Sequence, residues 1–381
     1  MNDVFSGDLP SIYLRLVMCW SIMVALRRKS RATEGTMSYR CLAMMIAVLI
    51  LLPRFAAAQP TSSSRTPWGD PDLQGIWDYR TLTPLQRPEE LGNKAFLTEE
   101  EAASLEQETL DRNERLLNRA SQRATAGSQV DRRADGTPGF YNNFWLDRGT
   151  TAIGTRRTSL IVDPSDGRLP PLTDTAQLRA DSAEAERIAA VRRGERPAES
   201  WEDLDAGDRC IQHAKAGPPI STGGYNNNVQ VFQTPDYVVL LAEQNHDARI
   251  IPLDGRPHVR SQIRQWMGDS RGRWEGDTLV IETTHFNGKH DQIGRPLLSS
   301  GEHLTLVERL TRTQPETLLY EYTVTDPTIW VKPWTAQHPM KKNPDLLYEF
   351  ACHEGNYGLY GILAGSRAQE EALAASATES K

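Results

Sequence analysis

The segment HDARIIPLDGRPH, His246 to His258, gathers the side chains best suited to moving protons and holding anions. Histidine is the side chain whose ordinary pKa lies nearest neutrality, so His258 is the candidate proton carrier. Arg249 would steady developing negative charge, and Glu243 or Asp247 would orient the imidazole. Asp254-Gly255 is a strong signal for a two-residue hairpin turn. With that turn closed, Ile251 opposes His258, and Arg249 lies diagonally within reach of it. Alternation along a strand puts Glu243, Asp247, Arg249, Ile251 and His258 on one face, and buries His246 with Ile250 on the other. A face carrying acid, base and cation suits general acid–base catalysis. The competing reading is a solvated sheet face whose cross-strand ion pairs contribute little each.

The next stretch, IRQWMGDSRGRWEGDTLVIETTHFNG, sets Trp266, Trp274, His285 and Phe286 among Asp269, Arg273, Asp277 and Glu282. Aromatic walls with a few polar groups are what a small-molecule pocket needs, although tryptophans are equally ordinary core residues. Tyr225 and His246 complete the expected substrate-binding set. No His-x-His, HExxH or CxxC pattern is present, and none of GxSxG, a Walker loop or a GxGxxG after a strand. Neither a metal nor a cofactor is therefore expected. Cys352 and His353 are adjacent, but neighbours on a strand face opposite ways, which argues against a cysteine nucleophile.

These residues need a scaffold. The chain has 381 residues, 39% hydrophobic and 24% charged, which is globular composition with enough length for a sizeable core. A formal net charge of -7 argues against a nucleic-acid partner. MSYRCLAMMIAVLILLPRFAAAQ has the order of a signal peptide: Arg40, an apolar run from Leu42 to Leu52, then small residues. The expectation is cleavage after Ala58, release to the periplasm or outside, and no membrane span afterwards, with residues 1–36 an over-extended start. Export leaves Cys210 and Cys352 as the remaining cysteines, an expected disulfide. Residues 59–66 read as a linker, 67–368 as a single β-rich domain, and 369–381 as a flexible tail.

Within that domain Thr98 and Glu101 form a capping-box pattern opening a helix over about 98–125, and a second helix is expected at 175–193. From Tyr225 onward come short β-rich runs: VQVFQ, YVVLLAE, ARIIPL, TLVIETT, LTLVERLTR, TLLYEYTVT and LYEFAC. Short connections favour antiparallel pairing. TLLYEYTVT alternates so that Leu318, Tyr320, Tyr322 and Val324 share one face. The expected fold is mainly β, an antiparallel sheet curled into a lipocalin-like barrel or folded as a sandwich, with one or two peripheral helices.

The stretches DPDLQGIWDYRTLTPLQRP, YNNNVQVFQTPDYVV, HDARIIPLDGRPH and GDSRGRWEGDTLVIETTHF resemble a large, mostly uncharacterised family of exported bacterial proteins. That resemblance implies export and a single β-rich unit and leaves the reaction open. The residues themselves point to a cofactor-independent acid–base enzyme (an isomerase, lyase or hydrolase) acting on a hydrophobic or aromatic small molecule. The alternatives are a ligand-binding protein without turnover and an envelope interaction protein.

Overall fold

The computed structural model describes residues 64–118, 146–147, 149–213, 215–292, 295–300, 303–354 and 357–379. The chain divides into Met1–Thr61 and Ser62–Lys381, and the described residues belong to the second unit. The expected leader and its cleavage point lie outside them.

Strands form where apolar and polar residues alternate. β11 (Thr317–Thr325) pairs on one side with β10 (Thr305–Gln314) and on the other with β12 (Trp334–Asn343), both antiparallel. Leu318, Tyr320, Tyr322 and Val324 are all buried, as the alternation predicts. Across β11 they meet Met340, His338, Ala336 and Trp334 of β12. Further strands are β1 (Gly75–Asp78), β2 (Ile161–Asp163), β3 (Asn228–Gln233), β4 (Tyr237–Ala242), β5 (Ala248–Pro252), β6 (Asp269–Glu275) and β7 (Thr278–Thr284). The large sheet runs β5-β4-β3-β1-β12-β11-β10-β7-β6, with β2 paired to β12. A small separate pair joins β8 (His290–Gln292) to β9 (Arg295–Ser300).

The expected mainly β, antiparallel architecture is present. Closure into a barrel is not: no backbone ladder joins the terminal strands β5 and β6 among the described residues. They nevertheless touch. A side chain built at Gly272 of β6 would come within 2.6 Å of Leu253 and 2.8 Å of Ile251, so side chains fill the seam that hydrogen bonds do not. The core covers one face of this open sheet, and Tyr322, Trp330 and Trp334 stack edge-on within it.

Among the described residues four α-helices sit outside the sheet. α1 (Glu99–Leu117) opens with the predicted capping box, the Thr98 hydroxyl accepting from Glu101 N–H while the Glu101 carboxylate accepts from Thr98 N–H. The single helix expected at 175–193 is two: α2 (Asp174–Ala180) and α3 (Ala183–Arg192). Ser182 interrupts them because its hydroxyl accepts the Ala185 N–H and starts a new helix. Residues 369–379 of the expected tail lie in α4 (Gly358–Glu379), whose alanines, glutamates and leucines are strong helix formers. Leu359 and Leu363 of α4 pack on Val191, Ala198 and Leu204. Of the expected linker, Arg65 is anchored by a 2.7 Å ion pair to Asp277.

Two expected strands fail. LYEFAC is irregular, and its Cys352 is bridged to Cys210 as expected. The hairpin after Asp254-Gly255 does not form, since β5 pairs only with β4 and ends at Pro252. Pro257 removes a ladder donor, and the Asp254 carboxylate instead takes the Arg256 N–H at 3.1 Å and its guanidinium at 2.8 Å. The chain then runs irregularly to β6.

Candidate functional site

That irregular run places His258. Its Nδ1–H donates to Asp269 Oδ2 at 2.9 Å, and the same carboxylate oxygen accepts Val259 N–H at 3.0 Å. Arg271 closes on the other oxygen at 2.7 Å. Burial alone would raise the Asp269 carboxyl, but the bonds from Val259, His258 and Arg271 prevail and hold it below the ordinary carboxylate range. A buried anion thus fixes the orientation and tautomer of His258. Its Nε2 faces Glu282 Oε1 at 3.4 Å, and the side chain keeps 22% of its surface open to solvent. His285 stands beside it, the two rings 5.7 Å apart.

The backbone that builds this corner is unusual. Gly268, just before β6, has a φ of +66°, and a Cβ there would sit 2.6 Å from the Thr284 carbonyl. Only glycine allows the end of β7 to approach so closely. His285 has a φ of 60°, a left-handed conformation uncommon outside glycine and often found at functional sites. Its carbonyl accepts Gln265 N–H at 2.9 Å, and its Nδ1 shares a 2.7 Å hydrogen bond with the Thr284 hydroxyl.

Other expected site residues lie elsewhere. Arg249 is on the buried face with Ile251, as alternation predicted, but it is 6% exposed and pairs with Glu308 at 2.6 and 3.0 Å. Ser270, Thr283 and Tyr320 complete that group, the Tyr320 hydroxyl donating to Glu308 at 2.6 Å. Burial opposes the Arg249 charge, yet Glu308 outweighs it and the guanidinium pKa rises. Arg249 is a core cation already neutralised.

Glu243, His246 and Tyr225 form a second group around residues 348–350, and Asp247 bonds Asn245 beside it. Glu243 is buried and accepts from Asn228 at 2.7 Å and from Tyr348 N–H at 3.4 Å. Tyr225 stacks on Phe350 with ring centroids 6.4 Å apart, and His246 donates to the Phe350 carbonyl at 3.2 Å. Burial pushes the Asp247 carboxyl up to about 6. His246 and Ile250 are exposed, not buried together as expected. The regular strand assumed there is broken by a turn at Gln244–His246, where Asn245 and His246 take positive φ. No hydrogen bond or ion pair described for Glu243 or Asp247 reaches His258, so orientation of that imidazole falls to Asp269.

Among the aromatic candidates, Phe286 is core, Trp274 lies five residues beyond Asp269 toward the far end of β6, and Trp266 is half-buried in the preceding loop. Asp269 was visible in the sequence only as one acid among several. Its signal is the Gly-Asp step at 268–269, a sharp turn delivering a carboxylate to the first position of a strand.

The donor atoms of His258, Asp269 and His285 lie within 4.8 Å of one another, close enough for one divalent cation to contact all three. No motif spacing reveals this set, because it converges from a loop and the ends of two strands. The same atoms can equally pass a proton, with Asp269 holding one side of the imidazole and Nε2 presenting the other. No protein-family model matches the chain, and no curated protein is significantly similar to it.

Proposed function

We propose that the protein is an acid–base enzyme acting on a small hydrophobic or aromatic molecule, with His258 as proton carrier. The observation that carries this reading is the 2.9 Å bond from His258 to the buried Asp269 carboxylate. It fixes the imidazole through Nδ1 and leaves Nε2 as the other nitrogen of a partly exposed ring, the arrangement a general base requires. Asp269 is then a positioning residue, and Glu282 and His285 are the groups nearest the transferred proton. Isomerisation, elimination and hydrolysis all need such a group, so the reading commits to proton transfer and not to one of the three. Export to the periplasm belongs to the same proposal.

The test is a panel of enolisable aryl ketones and aryl esters, followed by proton–deuterium exchange at carbon and by ester release. One class should turn over, and His258→Ala should lower its rate by about 10²–10⁴-fold with the melting temperature retained. Asp269→Asn should lower kcat through loss of the fixed tautomer. Rates unchanged in His258→Ala would sink the assignment.

A second reading is favoured by the convergence of His258, Asp269 and His285: the three could hold a divalent cation. Calorimetric titration with zinc separates the two. Stoichiometric binding abolished by His285→Ala supports the cation site, and its absence with turnover intact supports the proton carrier.

A further inference from the structure

The sheet has a second face, and one part of it is hollow. β11 and β12 turn Leu319 and Pro339 outward as a cross-strand pair, flanked by the pairs Thr317–Lys341 and Glu321–Gln337. Pro339 is tolerated in a central strand because β1 and β2 pair with β12 only at its two ends, leaving an interval between them. Over this floor lies the segment Thr151–Arg157, and the space enclosed is about 460 Å³. That volume is within the usual range of small-molecule sites, roughly 300–1,000 Å³.

The wall is built, not draped. Leu82 N–H bonds the Thr151 carbonyl at 2.9 Å, and Glu106 of α1 takes the Ala152 N–H at 2.9 Å. The Thr83 hydroxyl takes the Ile153 N–H at 3.1 Å, and Leu97 N–H bonds the Arg156 carbonyl at 2.8 Å.

Charge is what distinguishes this hollow. Arg80, Arg157 and Lys341 line it, and no carboxylate does. Arg80 is already paired with Asp78 and Asp147. Arg157 and Lys341 have no ion pair among the described residues. Arg157 reaches two neutral acceptors, the Gln337 amide oxygen at 2.9 Å and the Gln337 backbone carbonyl at 3.4 Å, and its Nε is buried without a partner. Gln337 in turn donates its amide nitrogen to Glu321 at 2.7 Å. Lys341 Nζ reaches only the Thr151 hydroxyl, at 3.4 Å. Burial lowers the Arg157 pKa, as expected of a cation with no anion against it.

We infer that this hollow is a binding site for a small amphipathic carboxylate, its head group on Arg157 and Lys341 and its apolar body on Leu319 and Pro339. A cation left unpaired in a chain of net charge -7 is a standing demand for an anion. The apolar floor asks for more than an inorganic ion, since Leu319 and Pro339 offer an anion nothing but desolvation. The site is assembled from β11, β12 and the wall segment, and it stands whether or not His258 carries protons.

Calorimetry on the full chain with 2-naphthylacetate and its neutral isostere 2-naphthylacetamide tests the assignment. The carboxylate should bind one to one, and the amide at least about tenfold more weakly, a difference of one charge-assisted contact. Arg157→Gln and Lys341→Gln should each weaken the carboxylate by a similar factor and leave the amide unchanged. Should Arg157→Gln unfold through its link to Gln337, Lys341→Gln on the exposed strand end decides alone. His258→Asn should bind as the wild type does, which separates this site from the acid–base centre. Equal affinity for acid and amide, wild-type affinity in Lys341→Gln, or no saturable binding at millimolar naphthylacetate would each overturn the inference.

Discussion

A partly exposed histidine held by a carboxylate and a histidine sealed in the core differ in what surrounds their nitrogens. His258 has the Asp269 carboxylate on one nitrogen and the Glu282 carboxylate 3.4 Å from the other, on a ring that is partly exposed. His338 is 1% exposed, neither ring nitrogen makes a well-formed hydrogen bond among the described residues, and the nearby Tyr79 backbone offsets burial only in part. Burial pushes its pKa down to about 4. Between pH 6.5 and about 4 the unfolded chain therefore binds a proton that the folded chain refuses, and stability falls as pH drops through that window. The lowered pKa corresponds to about 3 kcal/mol at the bottom of the window. His338→Phe should flatten this acid limb in urea titrations between pH 7 and 4, and an unchanged slope would assign the loss to other groups. Residue type alone made His246, His258 and His285 equally visible in the sequence, and it could not rank them. The ranking came from Asp269, a partner eleven residues away that no hairpin parity connects to His258.

At the level of elements, strands were legible where one face alternated, as in β3, β10 and β11, or where a short apolar run filled the strand, as in β4 and β7. β12 was hidden because Pro339 and two lysines mask the inward row of Trp334, Ala336, His338 and Met340. β6 was hidden because its inward row contains Ser270 and Gly272, which carry no hydrophobic signal. Both gaps bear on the proposed sites, since β6 supplies Asp269 and β12 supplies Lys341. Elements are also tied through the core by Arg249 of β5 and Glu308 of β10. A buried pair is costly to break and much less costly to replace as a unit, so Glu308→Ala should cost about 3–5 kcal/mol in equilibrium unfolding. Arg249→Met with Glu308→Gln should recover most of that loss, because glutamine still accepts the Tyr320 hydroxyl. Equal losses in the single and double variants would mean the charges themselves are indispensable.

For the whole molecule, the mainly antiparallel character was legible and the final geometry of the sheet was not. Strand content follows from local pattern, whereas closure depends on how far twist accumulates over the whole path from β5 to β6. The bridge between Cys210 and Cys352, 142 residues apart, ties the irregular 348–352 segment to the front half of the domain and was inferable only by elimination. The seam has a consequence for the protein in company with copies of itself. Strands left without a ladder partner are templates on which other chains can add, and long flat ones invite aggregation. Here each terminal strand shields the other, and the closeness of that fit depends on Gly272 having no side chain against Ile251 and Leu253. Gly272→Val should wedge the two strands apart and leave both backbones open. Light scattering across a concentration series should then show association that the wild type lacks, carried by β-rich species. A Gly272→Val protein that stays monomeric at every concentration would mean the seam guards nothing.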